Sequence, residues 1–211
     1  MKLLSLNVGQ PQEVEWEGEM VTTSIFKSAV SDRRQVSFLN IEGDKQSDLR
    51  YHGGVDKAVY SYDISYYDHW KNHLQREDWN AGLFGENPTT QGMPDDVIKI
   101  GNIYKIGTAT LQAIQPRFPC FRINIRFDLP DMIAHFYEQR RHGTYFRVLE
   151  EGYLQVGDAI ELIEPSPFDI TIQDVTECFI TKGKNKEKLT KILQIPYLPA
   201  SLQNVFRRFT K

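Results

Sequence analysis

A cysteine stands between two arginines in Gln115-Pro116-Arg117-Phe118-Pro119-Cys120-Phe121-Arg122-Ile123-Asn124. Each proline fixes its own φ near about −65° and restricts the residue before it, so Cys120 is presented on backbone with few alternatives. Thiolate, not thiol, is the nucleophile and the metal ligand, and cations at Arg117 and Arg122 favour that form. A free cysteine is also at home as a small buried hydrophobe, so this segment alone leaves site and packing residue equally open.

Glu42-Gly43-Asp44-Lys45-Gln46 is followed by Arg50-Tyr51-His52-Gly53-Gly54-Val55-Asp56-Lys57-Ala58. The paired glycines Gly53 and Gly54 either let backbone amides approach a ligand or take a turn at positive φ. Arg50, His52 and Lys57 supply donors for a phosphate or a polar heterocycle, while Asp44 and Asp56 can orient those donors. In Gly82-Leu83-Phe84-Gly85-Glu86-Asn87-Pro88-Thr89-Thr90-Gln91-Gly92, three glycines with Asn87, Thr89 and Thr90 read as a loop rich in amides and hydroxyls. Such a loop suits an anion or a ring edge, but it has neither the lysine of a P-loop nor the spacing of a dinucleotide fingerprint.

These segments need a scaffold. The 211 residues, 40% hydrophobic and 25% charged, have the balance of a globular protein. Up to about Glu164 the pattern is short apolar or alternating runs with glycine turns, which predicts strands over 2–8, 14–26, 34–41, 58–62, 97–100, 104–106, 109–115, 145–149 and 159–163. So many short strands argue for a closed or nearly closed barrel, because closure removes exposed edges. Helices are expected over 64–74, capped by Asp63, and over 132–140, capped by Asp128 or Asp131. After Glu164-Pro165-Ser166-Pro167 the texture turns helical, with Thr171 capping 172–180, a second helix over 186–193 and a third from about Ser201. The expected division is a mainly β domain over residues 1–165 and a small three-helix domain over 166–211.

Net charge −3 gives no electrostatic case for a nucleic-acid duplex as partner. Lys182, Lys184, Lys186, Lys188 and Lys191 read first as a solvated face. Two cysteines, Cys120 and Cys178, make no disulfide framework and fit a reducing, cytoplasmic setting. The first nine residues read as a strand and not as a secretion leader, and no apolar run is long enough to span a bilayer. Cys178 reads as helix packing. His69 and His73 have the i, i+4 spacing of a metal pair, but with His135 they are taken as structural or exposed because no further ligand motif accompanies them.

Taken in order, Glu42-Gly43-Asp44-x-Gln46, His52-Gly53-Gly54-x-Asp56-Lys57-Ala58, Gly85-Glu86-Asn87-x-Thr89-Thr90-x-Gly92 and Gln115-Pro116-Arg117-x-Pro119-Cys120-x-x-x-Asn124 resemble the MOSC domain family. The family takes its name from the carboxy-terminal domain of molybdenum-cofactor sulfurases, and the chain resembles its YiiM-like branch, three-helix tail included. Val55 stands where relatives often have proline, and Phe118 where a smaller residue is common.

The resemblance implies a MOSC-type β-barrel with a few peripheral helices that binds the molybdenum cofactor, Mo-molybdopterin, with Cys120 as metal ligand. It implies that Arg50, Lys57 and Arg117 hold the pterin phosphate within a cationic cradle that includes Arg122. His52, Asn87, Thr90 and Asn124 would then stand on the pterin or near the metal, beside Gly53 and Gly54. Glu86 and Asp56 would receive pterin NH groups or brace the loops, with His52 or Asp56 as proton source. The activity implied is reduction of an N-hydroxylated small molecule, such as a hydroxylaminopurine-type base analogue, in detoxification. Because the chain has no flavin or nicotinamide fingerprint, electrons would come from a separate reductase, and a homodimer is compatible with all of this. Two other readings stand beside it: a carrier holding the cofactor or sulfur on Cys120, and a cysteine hydrolase or transferase with His52 as base.

Overall fold

The computed structural model of the protein describes residues 1–49, 53–74 and 76–210. Arg50 and His52 lie outside the described residues. In chain order the strands and helices begin β1 (Lys2–Val8), β2 (Gln12–Trp16), β3 (Glu19–Thr23), β4 (Ser28–Val30) and β5 (Arg34–Val36). A 3-10 turn at Val55–Lys57 leads into β6 (Val59–Asp63), α1 (Ser65–His73), β7 (Pro88–Gln91), β8 (Ile103–Ile106) and β9 (Ala109–Pro116). Then come α2 (Arg122–Phe127), α3 (Met132–Gln139), β10 (Thr144–Glu150), β11 (Gly152–Leu154), β12 (Ile160–Glu164), α4 (Ile172–Ile180), α5 (Lys186–Leu193) and α6 (Ala200–Arg208).

Eight strands make one mixed sheet in the order β12-β8-β9-β10-β6-β7-β1-β4, with β2–β3 and β5–β11 as two separate ribbons. The β6–β7 pair is parallel, and the other described pairs are antiparallel. Among the described residues the strand ladder does not close on itself, so of the closed or nearly closed barrel expected, the fully closed form is not found. The sheet nevertheless brings β1, next to its end strand β4, against the segment that leads into β12 at the other end. Lys2 bridges Ala159, and Leu3 N donates to Asp158 O at 3.0 Å, Gly157 N to Leu3 O at 2.9 Å and Ile160 N to Met1 O at 3.0 Å. These bonds satisfy edge groups that open strands would leave to solvent.

All eight residues of β9 and all five of β6 are buried, which is why neither strand shows the alternation of a half-exposed one. One buried cluster runs from Leu3, Leu111 and Phe146 of the sheet into Ile172, Val175, Leu189, Ile192 and Phe206 of the last three helices. The tail and the sheet therefore share one core. Cys178 sits in that cluster. A second cluster, around Tyr62, Trp70, Phe84 and Phe136, fills the space between sheet and α1–α3. Here Trp70 Nε1 donates to the Tyr62 hydroxyl at 2.7 Å, so the aromatic layer buries its polar tips with partners.

The structure departs from the sequence reading in several places, each with a local cause. The run 14–26 is cut at Glu17-Gly18, whose φ values of 52° and 83° make the turn of the β2–β3 ribbon. Residues 97–100 form a turn and not a strand, with Val97 N donating to Pro94 O at 3.0 Å. Part of the glycine-rich segment 82–92 is strand β7, because Thr89 and Thr90 pair with both β1 and β6. The strand expected over 109–115 runs to Pro116, and a helix that the sequence reading did not expect, α2, begins at Arg122 just after Cys120. Asp63 does not cap α1 in the usual sense; it accepts from Ser65 N at 3.0 Å and Met93 N at 2.6 Å, tying the helix start to the loop after β7.

Thr171 caps α4 reciprocally. Its Oγ1 accepts from Asp174 N at 3.0 Å, and Asp174 Oδ2 accepts from Thr171 N at 3.0 Å. Losing such a cap costs about 1 kcal/mol. Thr171→Ala should therefore lower the unfolding free energy by about that amount in urea titration, whereas Asn185→Ala, removing a single cap bond to Lys188 N, should cost no more.

Candidate functional site

One end of the central sheet gathers the functional segments. The register sets Tyr145 against Gln115 and Tyr60, so the end of β9 and the starts of β6 and β10 meet at one level. A cleft opens there, with about 570 Å³ of empty space when the open solvent at its mouth is included. Its wall includes Asp44, Lys57, Asn87, Arg117, Cys120 and Arg122 from the four sequence motifs. Lys27, Tyr60 and Tyr145 also line it, and sequence reasoning missed all three.

Asp44 organises one wall. Its carboxylate accepts from Gly9 N at 2.8 Å, Lys27 Nζ at 2.9 Å and Asn87 Nδ2 at 3.0 Å. Three segments far apart in sequence thus meet on one carboxylate. The Lys27 and Asp44 side chains are only 9% and 4% exposed, so this is a buried ion pair. Burial pushes the Lys27 ammonium below its ordinary pKa, and Asp44 pulls it part of the way back. Asn87 turns its other end to β6, where its Oδ1 accepts from Tyr60 N at 3.2 Å.

Arg117 forms the floor. It is 6% exposed, its guanidinium lies 5.1 Å from the Tyr60 ring centroid, and its Nη1 is buried with no hydrogen-bond partner among the described residues. A buried guanidinium nitrogen without an acceptor is costly unless an anion completes it. The Arg117 backbone is held from behind: its N donates to Gly143 O at 3.0 Å, and its carbonyl faces His142 Nδ1 at 3.2 Å. His142 N and Gly143 N in turn donate to Asp95 at 2.9 and 3.0 Å. Lys57, at the end of the 3-10 turn, is also pushed down by burial, against the pull of Asp56 and Cys120. Among the described residues, the cleft wall therefore carries five cationic side chains, Lys27, Lys45, Lys57, Arg117 and Arg122, against the one carboxylate of Asp44. Cys120, half-buried and in no disulfide, stands among them.

Other expected site residues stand in the scaffold. Glu86 is fully buried and accepts from the Tyr67 hydroxyl at 2.5 Å, Thr89 Oγ1 at 2.7 Å and Gly82 N at 2.8 Å, so it braces its own loop. Thr90 is buried, with its hydroxyl toward Tyr62 O at 3.4 Å. Asn124 ties α2 to α3 through Pro130 O at 2.6 Å and Ile133 N at 3.0 Å. Asp56 accepts from Arg147 Nε at 2.8 Å, and its backbone oxygen accepts from Gln115 Nε2 at 3.3 Å. Gly54 takes φ 97° ahead of the 3-10 turn, and a Cβ on Gly53 would lie 2.9 Å from Leu49 O, so this pair serves the turn. Gly85 does line the cleft; its φ of 77° strains any side chain there, and a Cβ would lie 3.0 Å from Ile25 Cγ1.

The fold and the cleft define a sheet-built protein with a cationic, thiol-bearing pocket suited to an anionic ligand. The MOSC domain model matches residues 48–161. The chain is 34% identical over 206 residues to YflK of Bacillus subtilis, covering 98% of this chain and 93% of that protein. It is 29% identical over 197 residues to a protein of Gibberella moniliformis named Reductase, covering 92% of this chain and 35% of that longer one. The crystal structure of YiiM from Geobacillus stearothermophilus matches with a TM-score of 0.83 at 30% identity, over 100% of this chain and 99% of that one. This chain belongs to the MOSC domain family.

Removing one partner of a buried ion pair strands the other's charge, at a cost of about 3–5 kcal/mol. Asp44→Asn should destabilise the protein on that scale in urea unfolding, and adding Lys27→Met should recover part of the loss; strict additivity of the two changes would show that the pair is not coupled. A pH series tests the support behind Arg117. Burial pushes His142 down to about 4, below its unfolded value, so its contribution is lost as pH falls from about 6.5 towards 4. Burial pushes Asp95 up to about 7, so its contribution is lost as pH rises from about 4 to 7. Relative to wild type, His142→Phe should gain up to roughly 3 kcal/mol in unfolding free energy between pH 7 and 4, and parallel profiles would refute the assignment.

Proposed function

We propose that this protein holds a molybdenum–pterin cofactor in the cleft beside Cys120 and reduces a small N-hydroxylated compound. The observation that carries the reading is the convergence of one thiol with five cations on the cleft wall of a chain whose net charge is −3. The residues present fit such a group. The unpartnered Arg117 Nη1 suits a phosphate oxygen, and a soft thiolate is an apt donor to a metal in a sulfur-rich setting. Lys57 and Arg122 add charge for the phosphate, while Tyr60 and Tyr145, with ring centroids 5.3 Å apart, offer an aromatic wall to a heterocycle. The Gibberella moniliformis relative, named Reductase, supports the redox direction.

When bound, the cofactor supplies two-electron redox chemistry. The overall reaction turns an N–OH group into N–H with loss of the oxygen as water, and consumes two electrons and two protons. Electrons come from a separate reductase. Lys27 Nζ, desolvated and held against Asp44, is placed to hold a proton at the cleft wall. Arg117, fixed from behind by Gly143, keeps the anion-binding floor rigid.

Protein purified from cells competent in molybdenum-cofactor synthesis should carry close to one molybdenum per chain, with a releasable fluorescent pterin. Cys120→Ser should lose the metal, and Arg117→Met should lose pterin and metal together. Absence of molybdenum from the wild type would sink the reading. Loaded protein that fails to reduce a hydroxylamino substrate with a supplied reductase would leave the cofactor site standing and make the chain a carrier.

A further inference from the structure

On the surface formed by α1 and α3, remote in function from the cleft and sharing none of its lining residues, three metal-ligating side chains meet. His73 is the last residue of α1, and His135 and Glu138 lie i, i+3 on α3, hence on one face of that helix. One ligand atom from each lies within 4.8 Å of the others. His73 Nε2 and His135 Nδ1 face each other at 3.0 Å. We infer that His73, His135 and Glu138 form a binding site for a divalent transition-metal ion of the zinc type, joining α1 to α3.

The donor set is that of a zinc or cobalt site, two imidazoles and a carboxylate, with one position left open. Two nitrogens bound tetrahedrally to one ion at roughly 2.0–2.1 Å stand about 3.3 Å apart, so the observed separation needs little adjustment. The ring of His135 is oriented from its far side, where Nε2 lies 3.6 Å from Asp131 Oδ1. At that distance the contact is electrostatic and not a hydrogen bond, but it sets a carboxylate on the side of the ring opposite Nδ1, where the outer-shell partner of a metal-bound histidine stands. His73 is held as well, its ring 6.2 Å from that of His69 at an interplanar angle of 10° and 5.7 Å from that of Trp70. His69 itself is engaged by Gln139 Oε1 at 2.7 Å and stays outside the triad. Glu138 makes no hydrogen bond or ion pair among the described residues, so its oxygens are available. A histidine pair alone needs only a shared proton; the adjacent carboxylate and the oriented ring are what point to an ion.

Titration with Co2+ followed by visible absorption, paired with calorimetry using Zn2+, tests the site. The expected result is one equivalent bound with tetrahedral d–d bands, without the near-ultraviolet charge transfer of a cobalt–thiolate bond, and unchanged in Cys120→Ser. His73→Gln or His135→Gln should abolish these bands. Glu138→Gln and Asp131→Asn should each weaken binding at least about tenfold. His73 and Glu138 are exposed, so near-ultraviolet circular dichroism should confirm that these variants fold. Absence of d–d bands at millimolar Co2+, or bands that survive His73→Gln and vanish with Cys120→Ser, would overturn the inference.

Discussion

The site depends on one buried carboxylate. Asp44 accepts from Gly9, Lys27 and Asn87, and so draws the end of β1, the segment before β4 and the loop before β7 onto one wall. Each of these pieces would be free to move if the sheet alone positioned it. The arrangement is also electrostatically tense, because a buried ammonium is tolerated only while its partner stays ionised. The same desolvation that makes Lys27 expensive to bury makes its proton easier to give up.

Two further buried acids work behind the cleft without facing it. Glu86 gathers the hydroxyls of Tyr67 and Thr89 and the Gly82 amide, fixing the loop that presents Gly85 and Asn87. Asp95 takes the amides of His142 and Gly143, and Gly143 takes the amide of Arg117. Each acid fixes backbone, and the backbone fixes a cation or an amide on the wall. Hydrogen-bonded loops of this kind hold their groups in place before a ligand arrives, which reduces what binding must spend on ordering.

The sequence showed the segments but not the depth of their residues. The motifs around Asp44, Lys57, Asn87 and Arg117–Cys120–Arg122 do share one cleft. Within those motifs, residue type did not tell wall from brace: Glu86 and Asn124 have the donors and acceptors of a ligand shell, yet their partners are hydroxyls, amides and a carbonyl of the scaffold. Lys27 gave no signal, because it lies outside the glycine motifs and its burial comes from contacts with residues 17 positions away and more. The strand pattern was legible where alternation or apolar runs were long, as in β9, and failed at 97–100, where the Pro94–Asp96 turn overrides an apolar run. The tail was the clearest part, since a capping side chain acts within a few residues of itself, as Thr171 does on Asp174.

Long-range pairing also explains why His73 and His135 were read apart. They are 62 positions distant, and the only spacing visible in the sequence, His69 with His73, pairs a residue of the cluster with one that turns to Gln139. What brings them together is the second buried cluster, where Trp70 packs on Phe136 at a ring distance of 5.1 Å and so sets α1 against α3. The same contact has a consequence for the cleft. Tyr62, on the strand that carries Tyr60 to the cleft wall, accepts the Trp70 indole bond, so the α1–α3 contact and the cleft share β6 as a common support. Packing on one face of β6 thus fixes the position from which Tyr60 meets Arg117 on the cleft wall.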